Sequence, residues 1–316
     1  MRIVVVGYGK MFQSVIEGCL LSGHSVVGVL RVNRIRYSPF MNFLFDTLFP
    51  DRDKLFVKGL KLNDINVPSV NSEKFRKILV NLGADIVFVA SWSEKFSTST
   101  IKVPKIATIN LHPSLLPKYR GPNPYAQVIR HGETETGITF HLMDADFDSG
   151  AILSQKAIPI SKTETGASLR EKCAFFAKEE TQNLLKAFDS EFITPVNQNP
   201  SLATYFPQLS LYDSIISFAT ENAVQIDRKI RGLTPWLKCV IPVKHEFFMF
   251  KDYEIIHKPT KIPFGEIIYN DGKTVKISTV DHKTIIFKDV HPVRWIPRFL
   301  HKFYVGYFLK TGNKAI

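Results

Sequence analysis

The sequence predicts an α/β protein: an N-terminal domain built on a mostly parallel sheet, then a small OB-like β-barrel domain. Three observations predict it. Apolar, β-branched runs at residues 3–6 and within 85–90 read as strands buried on both faces, as in parallel sheets. Helix-like stretches separate these runs and their successors as far as residue 190. From Trp236 the chain turns to short β-prone runs at close spacing, with Asp271-Gly272 as a hairpin signal between two of them.

Taken in order, residues 3–6 form the first strand, Gly7 and Gly9 turn the chain, and a helix runs to about Leu21. Ser22-Gly23 ends it and residues 25–30 give a second strand, completing a βαβ unit. Gly7-Tyr8-Gly9 is not the start of a full GxGxxG motif, because the next glycine is Gly18. The second strand also ends in Arg31, with no acid to hold a ribose hydroxyl, so the glycines read as a tight turn. Residues 31–61 interrupt the alternation. They mix basic residues, Arg34 and Arg36 among them, with aromatic ones, and read either as a packed helical insertion or as a substrate- or membrane-contacting loop. A helix at 72–82, strands at 85–90, 107–111, 139–143 and 151–160, and a long helix at 165–188 follow. The chain is polar and irregular around Pro195–Pro200, which suits a linker. Residues 210–231 read as a helix, and the later strands fall at 238–243, 246–250, 265–269, 275–279 and 284–287. The predicted organisation is a domain at 1–190, a linker at 191–205, and an OB-like domain at 206–316 with a basic, aromatic tail.

Composition bounds the function. The chain has 316 residues, 45% hydrophobic and 22% charged, which excludes a disordered or collagen-like chain and a disulfide mini-protein. Lys+Arg number 41 against 29 Asp+Glu, a formal charge of +12 spread evenly over the two domains. A polyanion such as a nucleic acid or an anionic membrane surface is one partner class that fits. Cys19, Cys173 and Cys239 are odd in number and form no CxxC pair, so neither zinc nor a disulfide framework is expected. With no signal-peptide pattern and no long apolar run, a cytoplasmic location is expected.

The segment Ile109-Asn110-Leu111-His112-Pro113 carries the chemistry. Residues two apart on a strand face one side, so Asn110 and His112 project together at a carboxyl end, where open α/β sheets bind ligands. Pro113 stops the strand. A second segment runs from a strand through His141 and Met143 into the carboxylate-rich loop Asp144-Ala145-Asp146-Phe147-Asp148-Ser149-Gly150. An amide, an imidazole and a carboxylate suit acyl transfer to an amine. Asn110 can donate to the oxyanion, His112 can stabilise it or relay a proton, and a carboxylate of raised pKa can take the amine's proton.

These strings resemble the folate-dependent formyltransferases. The resemblance lies in Asn110-Leu111-His112, in Ser114-Leu115-Leu116-Pro117 followed by Lys118-Tyr119-Arg120-Gly121, and in Asp148-Ser149-Gly150-Ala151-Ile152. It implies a Rossmann-like catalytic domain, Asn110, His112 and Asp148 as the catalytic residues, no metal, and 10-formyltetrahydrofolate as co-substrate. The folate is expected against Val89, Ala90 and Ser91 and against the loop of Met143, Asp144, Ala145 and Asp148. The acceptor is expected near Ser114, Leu115, Leu116, Pro117, Arg120, Gly121 and His141, with Arg34 and Arg36 of the insertion.

The resemblance also bears on the acceptor. Ile230-Arg231-Gly232-Leu233-Thr234-Pro235-Trp236 and the β-rich region after it are similar to members that formylate methionyl-tRNA, which implies a tRNA partner. Pro113, His141 and the aromatic insertion are more like members acting on small amines, which implies a nucleotide-linked amino sugar as the alternative acceptor. Hydrolysis of 10-formyltetrahydrofolate is a third activity open to the same three residues. The tail after Trp295 is expected to pack on the barrel, with tRNA or membrane contact as its other uses.

Overall fold

The computed structural model describes residues 1–31, 51–190 and 192–315. The middle of the insertion, with Arg34 and Arg36, lies outside the described residues. Strand β1 (Arg2–Gly7) is followed by α1 (Gly9–Leu21) and β2 (Ser25–Arg31). After the insertion come α2 (Arg52–Gly59), α3 (Glu73–Asn81), β3 (Ile86–Ala90), α4 (Thr98–Ile101), β4 (Ala107–His112) and α5 (Pro124–His131). Strands β5 (Glu135–Leu142) and β6 (Ile152–Pro159) precede the long α6 (Gly166–Asp189). The sheet order is β2-β1-β3-β4-β5-β6. The first four strands run parallel, and β5 and β6 join antiparallel, giving the mostly parallel sheet the apolar runs predict. All five residues of β3 are buried, as a strand covered on both faces requires.

The chain forms two compact units. One comprises Met1–Tyr125, Thr134–Ile160 and Ser168–Pro207, and the other Ala126–Glu133, Ser161–Ala167 and Gln208–Ile316. The second unit holds α7 (Ala223–Leu233), β7 (Ile241–Val243), β8 (Glu246–Met249), β9 (Asp252–Ile256), β10 (Ile267–Asn270), β11 (Val275–Ser278), β12 (Thr284–Lys288), β13 (His291–Pro292) and α8 (His301–Phe308). Its strands make antiparallel sheets in the orders β10-β11-β12-β9 and β13-β8-β7 around one core that includes Phe218, Phe248 and Phe287. The tail joins this core through Val305 and Leu309, while Trp295, Phe303 and Tyr307 stay exposed. No helix among the described residues is long and apolar enough to cross a membrane.

The helix expected at 210–231 is shorter than the sequence suggests. Only α7 is α-helical, and Leu211–Ser214 is a 3₁₀ turn. Local side chains divert the backbone before α7. Asp213 accepts from the Ser210 N–H at 2.9 Å, and Glu221 accepts from the Ser217 N–H at 2.8 Å. Such bonds compete with the helical ladder. Asn222 then begins α7 with a capping box to Gln225. Strand β9 was not foreseen: Tyr253 and Ile255 are half-buried between exposed Asp252 and Glu254, next to a charged turn that hid the alternation.

The glycine turn is explained by packing. A Cβ on Gly7 would lie 1.9 Å from the Ala90 carbonyl oxygen, so β1 and β3 approach too closely for a side chain. The start of α1 is occupied from within the chain. Asp53 accepts from Gly9 N–H at 2.7 Å and from Gln13 Nε2 at 2.6 Å, placing a carboxylate where a dinucleotide fold would hold phosphate. Arg31 holds the root of the insertion. It donates to Asp51 at 2.9 Å and to Asp64 at 2.8 Å and is 9% exposed. Arg31→Met would leave both carboxylates beside an apolar stem. Urea titration is expected to show a loss of about 3 kcal/mol, and an unchanged midpoint would contradict this role.

Candidate active site

Strand β4 delivers the first candidate side chains. It lies between β3 and β5, with Val89 opposite Asn110 on one side and His141 opposite Asn110 on the other. Asn110 and His112 share a face of β4 by strand periodicity, and Pro113 ends the strand, as the sequence predicts. The β5–β6 loop brings Asp148, whose backbone is left-handed at φ 56°. Such a conformation costs about 1–2 kcal/mol outside glycine and persists only where neighbours hold it.

One oxygen organises the cluster. Asp148 Oδ1 lies 3.3 Å from Asn110 Nδ2, 3.4 Å from His112 Nδ1 and 3.7 Å from His141 Nε2. Its other oxygen accepts from the Gly121 N–H at 3.0 Å. His141 is 2% exposed and its Nδ1 donates to the Leu142 carbonyl at 2.8 Å. That leaves Nε2 as an acceptor, which Asn110 Nδ2 meets at 3.0 Å. The Asn110 amide therefore has both hydrogens engaged, one by His141 and one by Asp148. The reversed amide would set a carbonyl against a carboxylate, which fixes this orientation. Donation from Asn110 to an oxyanion requires release of the longer bond, to Asp148.

His112 is 5% exposed, and its Nε2 donates to the Tyr119 carbonyl at 2.9 Å. Burial pushes its pKa below the ordinary 6.5, although Asp148 and the Tyr119 carbonyl oppose the shift. The ring is neutral at neutral pH. Its one proton sits on Nε2, where the contact is shorter, so Nδ1 is bare beside Asp148. The expectation of a raised pKa at the carboxylate is not met. Burial acts to raise it, but the positive charge that the His112 and His141 rings bring when protonated, together with the Gly121 N–H, overcomes burial and brings Asp148 down to about 2. At neutral pH the cluster is a carboxylate beside a neutral imidazole. A proton arriving at Nδ1 would sit between the two and be stabilised by the negative charge.

The other predicted residues divide by position. Ser114 and Leu116 are buried. Ser114 donates to the Lys118 carbonyl and the Leu116 N–H donates to Thr139, so this stretch fixes the loop leading to Gly121. Leu115 and Pro117 are half-buried. Val89 and Ala90 lie inside β3, and Ser91 turns out of the strand end with φ 65°. Met143 is half-buried, and Asp144 and Ala145 are exposed. Arg120 Nη2 donates to Gln198 Oε1 at 2.6 Å. Trp92 Nε1, Arg120 Nε and Asn123 Nδ2 are buried donors without a hydrogen-bond partner, available to ligand acceptors. Among the described residues, no group of His, Cys, Asp and Glu could hold a metal ion. Sequence reasoning missed the Tyr119 carbonyl, because backbone groups leave no trace in residue type. It also missed Gln198, which lies in a stretch whose polarity reads as linker.

Comparison with known proteins gives the family. The family model described as formyl transferase matches residues 1–187, and that of the formyl transferase C-terminal domain matches residues 208–293. The methionyl-tRNA formyltransferase of Lactiplantibacillus plantarum is 30% identical over 216 residues, 68% of this chain and 68% of that protein. That of Thermotoga sp. (strain RQ2) is 29% identical over 240 residues, 73% of this chain and 72% of that one. Among solved structures, WlaRD, a sugar 3N-formyl transferase determined with dTDP and 5-N-formyl-THF, has a TM-score of 0.67 at 16% identity. That similarity covers 94% of this chain and 99% of WlaRD and speaks to the fold alone. With the Asn110, His112 and Asp148 cluster assembled on the strand and loop that carry the motifs, and both domain models matched, the chain belongs to the formyl transferase family.

Proposed function

We propose that the chain transfers the formyl group of 10-formyltetrahydrofolate to the amino group of methionyl-tRNA. The observation that carries the choice of acceptor is the extent of similarity to methionyl-tRNA formyltransferases. It spans 240 residues in one relative, more than the 187 of the catalytic model. The second unit supports the choice physically: Lys238, Lys244, Lys251, Lys258 and Lys261 are exposed on it, and phosphate backbones bind such surfaces.

The residues present fit a folate donor. Ser91 and Trp92 follow β3 beside Asn110, and Trp92 Nε1 is a buried donor without a partner. Exposed Asp144 offers an acceptor for pterin N–H groups. A solved HypX from Aquifex aeolicus with the same fold was determined with tetrahydrofolic acid. The donor supplies an activated formyl carbon. In the reaction the amine nitrogen bonds to that carbon, the carbon–N10 bond breaks, the amine loses a proton and N10 gains one. His112 Nδ1 takes the amine's proton, and Asp148 stabilises the imidazolium that forms. Asn110 stabilises charge on the carbonyl oxygen. Asp148 acts by its charge, because a carboxylate of such low pKa is a poor proton acceptor.

A nucleotide-linked amino sugar is the second reading. Its support is that WlaRD, a sugar 3N-formyl transferase, spans nearly the same length with the same fold, so the second unit is not peculiar to tRNA enzymes.

Purified protein is expected to formylate methionyl-tRNA, with a KM that rises steeply between 50 and 200 mM salt, at roughly the slope of a protein contacting several phosphates. Formylation of dTDP-amino sugars with no transfer to methionyl-tRNA would contradict the proposal. His112→Ala and Asp148→Asn are each expected to lower kcat by about 10³-fold, with far-UV circular dichroism unchanged. Near-normal turnover in either would overturn the shared chemistry. For pH, the base is neutral His112, so kcat/KM should fall on acidification through a pKa below 6.5. Asp148 raises that pKa, so Asp148→Asn should move the acid limb to still lower pH while lowering the plateau. An acid limb that moves to higher pH would refute the assignment.

A further inference from the structure

We infer that Gln198 is a positioning residue for formyl transfer, clamping the loop that carries Asp148 to the loop that carries Tyr119 and Gly121. The inference rests on the transfer chemistry and not on the identity of the acceptor.

The segment after the long helix does more than connect. Val196 and Ile152 exchange backbone hydrogen bonds at 2.8 Å, fastening the chain beside the end of the Asp148 loop. Gln198 is then aimed at both halves of the site. Its Nε2 donates to the Asp148 carbonyl at 2.9 Å and to the Gly150 carbonyl at 2.8 Å. Its Oε1 accepts from Arg120 Nη2 at 2.6 Å. Further on, the Thr204 carbonyl accepts from the Arg120 N–H at 2.9 Å, and Thr204 Oγ1 accepts from the Tyr119 N–H at 2.8 Å. The Phe206 N–H donates to the Arg120 carbonyl at 3.0 Å, and the Phe206 ring stacks on Tyr119 with centroids 5.2 Å apart.

These contacts bear on atoms the chemistry uses. The Tyr119 carbonyl holds the Nε2–H of His112, and the Gly121 N–H holds Asp148 Oδ2. Asp148, Tyr119 and Gly121 all have left-handed backbone, at φ 56°, 59° and 106°. A Cβ on Gly121 would lie 2.1 Å from the Phe206 carbonyl oxygen, so the segment fits this loop only because the residue is glycine. Unfavourable backbone on both loops needs an external tie. Gln198 ties them to each other, since one amide group spans from Arg120 to Asp148 and Gly150. A glutamine can do this because it presents two donors and an acceptor on one planar group.

The test substitutes Gln198→Leu, which keeps the volume and removes the donors and acceptor, and Thr204→Val, which removes only the hydroxyl that fixes Tyr119. Four quantities are read: kcat and the KM for 10-formyltetrahydrofolate with the acceptor the wild type uses, thermal midpoint, and amide hydrogen exchange at Gly121 against Leu111 in β4. Gln198→Leu is expected to lower kcat about 10- to 100-fold, as a misplaced reacting group does, with the folate KM within about threefold. Exchange at Gly121 should quicken at least about tenfold while Leu111 is unchanged, because the Gly121 N–H loses its fixed carboxylate. Thr204→Val should move kcat and Gly121 exchange in the same direction by less. If kcat holds within twofold, or falls with no change at Gly121, the positioning role is overturned. A lower thermal midpoint with normal kcat would likewise leave Gln198 as a packing residue only. Should Gln198→Leu not fold, Thr204→Val decides by the same readings. Should the wild type transfer no formyl group to methionyl-tRNA, the acceptor proposal fails, while Gly121 exchange still tests the clamp.

Discussion

A single carboxylate oxygen, Asp148 Oδ1, is the point on which the site converges. Asn110 Nδ2, His112 Nδ1 and His141 Nε2 all face it, and its charge fixes the orientation of the Asn110 amide. To hold a carboxylate ionised in so buried a place, the fold must supply compensation from every side. It does so with the Asn110 amide and the Gly121 backbone N–H, one donor to each oxygen. The rest of the candidate site follows from this need. Strand β4 must end where Asn110 and His112 emerge, β5 must place His141 opposite Asn110, and two loops must take up left-handed backbone to close the cluster.

Protonation states divide the work between these groups. Asp148 keeps its charge and His112 stays neutral, so under the proposed transfer a proton released by an attacking amine has one well-placed acceptor, stabilised as it becomes charged. Had the carboxylate carried the raised pKa expected from the reaction type, the two roles would have competed for the same proton. His141 supports the arrangement from behind: its Nδ1 is tied to a carbonyl, and the free Nε2 holds the amide of Asn110.

Much of the fold was legible because burial leaves a pattern. The runs in β1 and β3 are apolar throughout, and Asn110-Leu111-His112-Pro113 states its own strand, face and end. The candidate side chains could be named for the same reason: few residue types suit acyl transfer, and Asn110, His112 and Asp148 stand in order along two segments. The pKa of Asp148 was not legible, because it depends on groups from three separate segments. The stretch at 210–221 read as helix, yet Ser210, Asp213 and Glu221 satisfy backbone groups locally and stop it. Gln198 escaped notice because a polar residue among prolines and asparagines reads as linker, and only the fold reveals the three groups it bridges.

The central claim is the resting pair, ionised Asp148 beside neutral His112 with its proton on Nε2. The direct measurement is the ¹⁵N chemical shifts of the His112 ring in selectively labelled protein at pH 7. The account predicts a protonated Nε2 and a bare Nδ1, with both nitrogens protonated only below the ordinary histidine range. An imidazolium at pH 7, or a proton on Nδ1 with Nε2 bare, would contradict it.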